Sequence, residues 1–162
     1  MKNKVLPYVK YYNKAVEFYK TAQYELALES YDKAITLEPS NYNLYFEKGL
    51  TLNELQQYEL AINNFDKAIE LEPDNSEIYM IKAVTLELLG KYDLALENYN
   101  NAIELEPDQP DFYYGKTIAL IGLKRYDLAL ETIDKALELN PDHVYAQELK
   151  EFLLEKIAEL LW

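Results

Sequence analysis

The sequence predicts an all-α fold, a solenoid of four helix-turn-helix repeats followed by a C-terminal capping helix. The first observation is a strict period, because Pro39, Pro73, Pro107 and Pro141 are each separated by 34 residues. The second is that Tyr and Ala recur at fixed places within each period. A period of this length is typical of stacked supersecondary units, none of which buries its apolar face alone.

Each period predicts two amphipathic helices. Blocks that begin at Tyr8, Tyr42, Ser76 and Pro110 allow the chain to be compared column by column. Columns four, eight and eleven lie at i, i+4 and i+7 and form one face of a first helix: Tyr11, Tyr45, Tyr79 and Tyr113; Ala15, Gly49, Ala83 and Thr117; Phe18, Leu52, Leu86 and Leu120. Columns twenty, twenty-four and twenty-seven form the face of a second helix: Ala27, Ala61, Ala95 and Ala129; Tyr31, Phe65, Tyr99 and Ile133; Ala34, Ala68, Ala102 and Ala136.

The ends of these helices are also indicated by the sequence. A short break with a Tyr at column seventeen is expected between the two helices of each block, and an acid follows that Tyr every time, as in Tyr24-Glu25. The acid suits the positive end of the second helix dipole. The second helix is expected to stop before the recurring proline, since proline cannot continue a helix and disfavours helix in the residue before it.

This column pattern resembles the tetratricopeptide repeat. The match covers residues 8–143 and departs from the family pattern in having Lys at column seven and Tyr at column four. The resemblance implies a right-handed superhelical solenoid whose first helices line a concave side that contacts a bound peptide or helix. The predicted organisation is a lead-in (1–7), four repeats (8–41, 42–75, 76–109 and 110–143) and a capping, solvating helix (144–162).

Composition narrows the classes of function. The chain has 162 residues, 49% of them apolar, which is enough for a core. A net charge of −13 with a single Arg argues against nucleic acid as a partner. No long apolar segment is present, so we expect a soluble, cytoplasmic protein without a membrane role.

Chemistry-bearing residues are few. With no cysteine, one histidine and no glycine-rich phosphate loop, the sequence predicts no enzyme, no cofactor and no metal site. His143 is interpreted as a polar turn residue, because it follows Pro141-Asp142 at the column that Asn41, Asn75 and Gln109 occupy in other blocks.

A second apolar stripe on the first helices predicts a peptide-binding groove. Columns five, nine and twelve again lie at i, i+4 and i+7 and are largely apolar. The predicted groove residues are Tyr12, Val16, Tyr19, Phe46, Leu50, Asn53, Met80, Val84, Glu87, Tyr114, Ile118 and Ile121. The alternative is that the stripe is buried between neighbouring repeats.

The groove also predicts the chemistry of its ligand. Acids in or near it (Glu47, Glu54, Glu77, Glu87 and Asp111) favour basic residues beside the partner's apolar anchors. Family members that hold chaperone tails resemble one another in a clamp of Lys, Asn and Arg, but the corresponding columns here hold Tyr12, Val16, Glu47, Glu77 and Ile81. Clamping of such a tail is therefore not expected.

The C-terminal segment predicts one helix without a partner helix. Its apolar arc is broad, and acids form a narrow stripe opposite. Self-association is expected through Phe152, Leu153, Leu154, Ile157, Leu161 and Trp162. A somewhat apolar cap is the alternative.

Two functions follow from these surfaces. The first is a protein-protein interaction scaffold or adaptor that binds an apolar peptide or helix, with a preference for basic flanks, in its groove. The alternative is a structural protein that assembles with itself, as a homodimer or larger homo-oligomer, through the C-terminal helix and the groove.

Overall fold

The computed structural model describes residues 6–160, which form helices and no strand. The all-α class is therefore confirmed for this part of the chain. The helices are α1 (Pro7–Lys20), α2 (Tyr24–Leu37), α3 (Tyr42–Glu54), α4 (Tyr58–Leu71), α5 (Ser76–Leu88), α6 (Tyr92–Leu105), α7 (Pro110–Gly122), α8 (Tyr126–Leu139) and α9 (Val144–Leu160). They fall into two compact units, of which unit 1 ends at Asp74 and unit 2 begins at Asn75.

Unit 1 is held together by small residues that lie against large rings. The helices pack in the order α1 on α2, α2 on α3 and α3 on α4. Ala15 and Ala27 are fully buried beside the Tyr31 ring. Gly49 leaves room for the Phe65 ring, because a Cβ at Gly49 would approach that ring unacceptably closely. The small and large columns predicted from the sequence thus meet in the core.

Unit 2 repeats this packing and adds α9. The helices α5 and α6 pair, as do α7 and α8, while α6 packs on α7 and α9 packs on α8. Gly115 of α7 faces the Tyr99 ring of α6, and a Cβ at Gly115 would lie 2.5 Å from Tyr99 Cε1. The core that closes the C-terminal end consists of Leu120, Ala129, Ile133, Ala136, Ala146 and Leu153.

The helix ends follow local chemistry. Asn41 and Asn75 cap α3 and α5, since their side-chain oxygens accept hydrogen bonds from Asn43 N (3.2 Å) and Glu77 N (3.1 Å). Each second helix ends two residues before the recurring proline, because proline disfavours helix in the residue that precedes it. The column-seventeen Tyr is the first residue of each second helix, so the prediction that it lies in the break was wrong; the break is shorter.

A left-handed residue makes that shorter break possible. Ala22, Gln56, Gly90 and Lys124 all have positive φ, between 55° and 69°. Around Ala22, for example, Gln23 N donates to Phe18 O at 2.9 Å, which satisfies a carbonyl at the end of α1. The same bond recurs in the other three turns.

Candidate functional site

The unit 1 surface consists of the predicted groove residues on α1 and α3. It comprises Tyr12, Val16, Tyr19, Phe46, Leu50 and Asn53. All except Phe46 are half-buried, so side-chain area remains open to solvent. Phe46 is only 8% exposed, and its ring centroid lies 6.0 Å from that of Phe65. Phe46 therefore belongs to the core, and its assignment to the groove needs correction.

Two tyrosines on α1 connect the unit 1 surface to α3. Asn43 Nδ2 donates to the Tyr12 hydroxyl at 3.4 Å, and the Tyr19 hydroxyl donates to Glu54 Oε1 at 3.3 Å. Burial, and then the neighbouring Glu54 carboxylate, raises the pKa of Tyr19. The tyrosine therefore stays protonated and acts as a hydrogen-bond donor at this surface.

The unit 2 surface consists of the corresponding residues on α5 and α7. It comprises Met80, Val84, Glu87, Tyr114, Ile118 and Ile121. Val84 is 40% exposed and the other five are half-buried. The alternative that this apolar stripe is buried between neighbouring repeats is therefore wrong for unit 2.

A residue of α9, Phe152, extends the unit 2 surface. Val84, Ile118 and Phe152 are each separated by 34 residues, so Phe152 occupies the same column on α9. Its side chain is 48% exposed. One face of α9 reaches α7, because the Tyr145 ring lies 6.5 Å from the Tyr114 ring, and Phe152 follows Tyr145 by two helical turns. Phe152 is therefore part of this apolar face.

The remaining predicted self-association residues separate into different environments. Leu153 is fully buried in the core of unit 2, so the prediction that it mediates self-association was wrong. Phe152 and Leu154 lie on opposite flanks of α9, because residues two apart in a helix are about 200° apart. Leu154 is exposed and Ile157 is half-buried. Leu161 and Trp162 lie outside the described residues.

His143 joins α9 to α7. Its Nδ1 accepts a hydrogen bond from Ala146 N at 3.2 Å, so Nε2 carries the proton and donates to Asp111 Oδ1 at 3.0 Å. The imidazole also stacks on the Tyr114 ring, with 5.3 Å between centroids. His143 thus lies at the turn before α9, as the sequence indicates, and positions one edge of the unit 2 surface; this second role was not predicted.

Glu87 is an acid held within the unit 2 surface. It lies close to the Tyr99 hydroxyl, and its Oε1 is buried and has no hydrogen-bond partner among the described residues. Burial raises the pKa of Glu87 to about 7, and the Tyr99 hydroxyl opposes part of that rise. The surface therefore carries a carboxyl group that is partly protonated near neutral pH.

Replacing Glu87 with Gln is expected to make the protein's stability less dependent on pH. In the unfolded chain Glu87 has an ordinary pKa of 4.5, so between that value and about 7 the folded chain holds a proton that the unfolded chain lacks. Stability therefore falls as pH rises through 7. From about pH 5 to about pH 8, urea unfolding should show Glu87→Gln gaining about 1–2 kcal/mol relative to the unmodified protein, a value reduced for solvent screening.

Exposed Glu97 on α6 supplies the matched control for this measurement. Glu97→Gln removes the same charge but no buried carboxyl, so its difference from the unmodified protein should stay constant across the range. A Glu87→Gln profile that parallels the unmodified protein would contradict the assignment.

Acids surround both surfaces. Glu47 and Glu54 lie on α3 beside the unit 1 surface, and Glu77 and Asp111 lie on α5 and α7 beside the unit 2 surface. Asp111 is engaged by His143, whereas Glu77 is exposed. Residues Tyr12, Val16, Glu47, Glu77 and Ile81, where a carboxylate clamp would be expected, include no cation.

Across 6–160, no group of three or more His, Cys, Asp or Glu side chains is arranged to hold a metal ion. In that range no helix has both the length and the apolar character needed to cross a bilayer.

Family comparisons match nearly the whole repeat region. Three models, each described as tetratricopeptide repeat, match residues 86–151, residues 9–41 and 42–75, and residues 64–97. A search of curated proteins finds no match.

Solved structures with the same fold include three informative ones. MamA (41-end) from Desulfovibrio magneticus RS-1 is 22% identical over 93% of this chain and 85% of that chain, with a TM-score of 0.87. YrrB, described as a TPR protein with an unusual peptide-binding site, is 26% identical over 91% of this chain and 76% of that chain, with a TM-score of 0.81. The first TPR of Spaghetti (RPAP3), bound to the HSP90 peptide SRMEEVD, is 22% identical over 72% and 93%, with a TM-score of 0.69. The helical repeat fold with a C-terminal helix is thus confirmed.

Proposed function

Because the chain belongs to the tetratricopeptide repeat family, we propose that it is a protein-interaction scaffold that binds an apolar, basic-flanked peptide or helix. Each unit offers a first-helix surface for such a ligand: the unit 1 surface without Phe46, and the unit 2 surface with Phe152. The observation that carries this proposal is the row formed by Val84, Ile118 and Phe152. Two of these three apolar side chains are exposed by 40% or more, although the apolar residues of the core beneath them are buried.

The shape of the row favours a partner with spaced apolar anchors. The three residues come from three helices of unit 2, and half-buried Tyr114 and Ile121 adjoin them. An amphipathic helix presents anchors at i, i+3, i+4 and i+7, and an extended segment presents alternate residues. Either form would place apolar side chains on the row while its polar side faces water.

The charge around the row favours basic residues beside those anchors. Exposed Glu77 lies on α5, and exposed Glu148 and Glu155 flank Phe152 on α9. Opposite charges raise association rates and discriminate against acidic partners. A partner carboxylate would meet like charge here, so we propose a ligand unlike the SRMEEVD peptide bound to the RPAP3 domain.

Relatives support the general role. YrrB is described as having an unusual peptide-binding site, and the RPAP3 domain is bound to a peptide. We therefore propose that this chain also binds a peptide and does not catalyse a reaction. The residues of the two surfaces would determine which peptide it binds.

The proposal is tested by placing a charge in each surface. A peptide library displayed on phage, selected on the full chain, should yield sequences with apolar anchors next to Lys or Arg. Val84→Glu should weaken a peptide that binds the unit 2 surface about tenfold in a calorimetric titration, and Leu50→Glu should do the same for a peptide that binds the unit 1 surface, because each buries a carboxylate against the apolar ligand. Loss at Leu50 alone or Val84 alone would assign the ligand to one unit.

Leu60→Glu and Leu94→Glu are the matched controls. Both leucines are exposed on second helices, α4 and α6, outside the two surfaces. These variants should bind as the unmodified chain does. Selection of acidic peptides, or equal weakening by the controls, would contradict the proposal.

Self-assembly is the second candidate function, and a specific observation favours it. Leu154 and Leu160 of α9 are exposed apolar residues outside the Val84, Ile118 and Phe152 row. Exposed apolar area of this kind is commonly covered by a partner. If light scattering shows that Leu50→Glu and Val84→Glu abolish assembly, the surfaces serve self-association; if assembly persists while peptide binding is lost, they serve another protein.

A further inference from the structure

Lysines at column seven form ion pairs with aspartates of the preceding second helix. Lys48 Nζ of α3 lies 2.5 Å from Asp32 Oδ1 of α2, and Lys150 Nζ of α9 lies 2.7 Å from Asp134 Oδ1 of α8. In both pairs the lysine follows the aspartate by 16 residues. The same ion pair therefore occurs at one junction in unit 1 and at one junction in unit 2.

The junction between α6 and α7 has the lysine but not the acid. The residue 16 positions before Lys116 is Asn100, whose side-chain amide carries no charge. Lys116 is half-buried, and Asn100 is exposed. Within residues 6–160, no carboxylate forms an ion pair with Lys116. Its amine is therefore partly removed from water without the partner that Lys48 and Lys150 have.

The missing acid makes the Lys116 side chain a better nucleophile. Burial disfavours the ammonium form and lowers the pKa of Lys116. A larger fraction of this side chain is then the neutral amine, which is the form that attacks carbonyl groups. At the other two junctions, the adjacent carboxylate favours the ammonium form.

We propose that Lys116 is a site of acylation by small activated acyl donors, such as acyl phosphates and acyl thioesters. The neutral Nζ attacks the acyl carbon and an amide C–N bond forms. The phosphate or thiolate leaves with the electron pair of the broken C–O or C–S bond, and the nitrogen loses a proton to water. A small donor can reach this junction, since Asn100 is exposed and the equivalent Asp32 and Asp134 side chains are 58% and 47% exposed.

Acylation of Lys116 changes the charge of α7 without breaking an ion pair. The product is a neutral amide, so the positive charge of the side chain is lost. The same reaction at Lys48 removes one partner of the ion pair with Asp32. Lys116 and Ile118 are two residues apart and therefore about 200° apart around α7. The acyl group thus lies away from the unit 2 surface, and peptide binding there is a separate property.

Competition among equivalent lysines tests the proposal. The full chain is incubated with acetyl phosphate near pH 8, and acetylation of each lysine is followed over time by mass spectrometry. In the folded protein, Lys116 should react about threefold or more faster than Lys48 and Lys150. In concentrated urea the three rates should become equal, because unfolding removes both the burial and the ion pairs.

Exchange of the acid between junctions supplies the controls. Asn100→Asp should slow Lys116 about threefold because it supplies the missing acid, and Asp134→Asn should accelerate Lys150 by a similar factor because it removes one. Asn63→Asp, at an exposed position of α4, adds the same charge elsewhere and should change neither rate. If Lys116 reacts no faster than Lys150, or if either exchange leaves the rate of its lysine unchanged, the proposal is wrong.

Discussion

Replacing Tyr99 with Ala is expected to lower the free energy of unfolding by about 3–5 kcal/mol, the range found when large buried aromatic residues are truncated. The Tyr99 ring is 1% exposed and fills the space beside Gly115, and its hydroxyl lies close to Glu87. Its loss leaves a cavity between α6 and α7. Urea unfolding followed by circular dichroism measures the change.

Gly115→Val tests whether the fit between these two residues determines that loss. A side chain at Gly115 would clash with the Tyr99 ring, so the single variant should lose about 1–3 kcal/mol. In the double variant with Tyr99→Ala, the valine occupies part of the vacated space. The double variant should therefore be more stable than the sum of the two losses predicts by about 1 kcal/mol or more. Strict additivity would show that the two residues do not share one space.

Leu153→Ala is expected to cost about 2–5 kcal/mol, whereas Leu154→Ala should change stability by less than about 0.5 kcal/mol. The two leucines are neighbours in α9, but Leu153 is 0% exposed and Leu154 is 48% exposed. Leu153 packs with Ala146 and Ile133 in the core of unit 2, and truncation leaves a cavity there.

Leu154→Ala is thus an internal control, with the same chemical change one residue away. Thermal unfolding should separate the two variants clearly, since each kcal/mol shifts the Tm of a chain of this size by about 2–4 °C. Equal losses would contradict the placement of α9 against α8. The contrast also shows that deletion of residues 145–162 would test self-association poorly, because it removes core residues together with exposed ones.

The core was largely predictable, because the residues that recur in every repeat are also the residues that pack in the core. Ala27, Ala34 and Tyr31 fall in the columns that the period selects, and all three are fully buried. The left-handed turn residues were not predictable, since Ala22, Gln56 and Lys124 have no special preference for positive φ. There the hydrogen bonds that end the first helices override local preference.

The surface residues were less predictable, because the helix face on which a side chain lies does not determine how deeply it is buried. Phe46 shares a column with Tyr12, Met80 and Tyr114, yet it alone is buried, since its ring packs on Phe65. For the same reason the apolar pattern of α9 does not separate buried Leu153 from the exposed residues beside it. Phe152 could have been recognised as a surface residue of the Val84 and Ile118 column, because the interval of 34 residues continues into α9.

Burial separates the first-helix residues of this chain into those that the core constrains and those that it does not. At exposed Val84, beside buried Ala83, substitution can change the surface without loss of the fold. Glu87 is the exception, because this half-buried acid lies close to the hydroxyl of buried Tyr99. A substitution at Val84 therefore alters only the surface, whereas a substitution at Glu87 must also be compatible with the core.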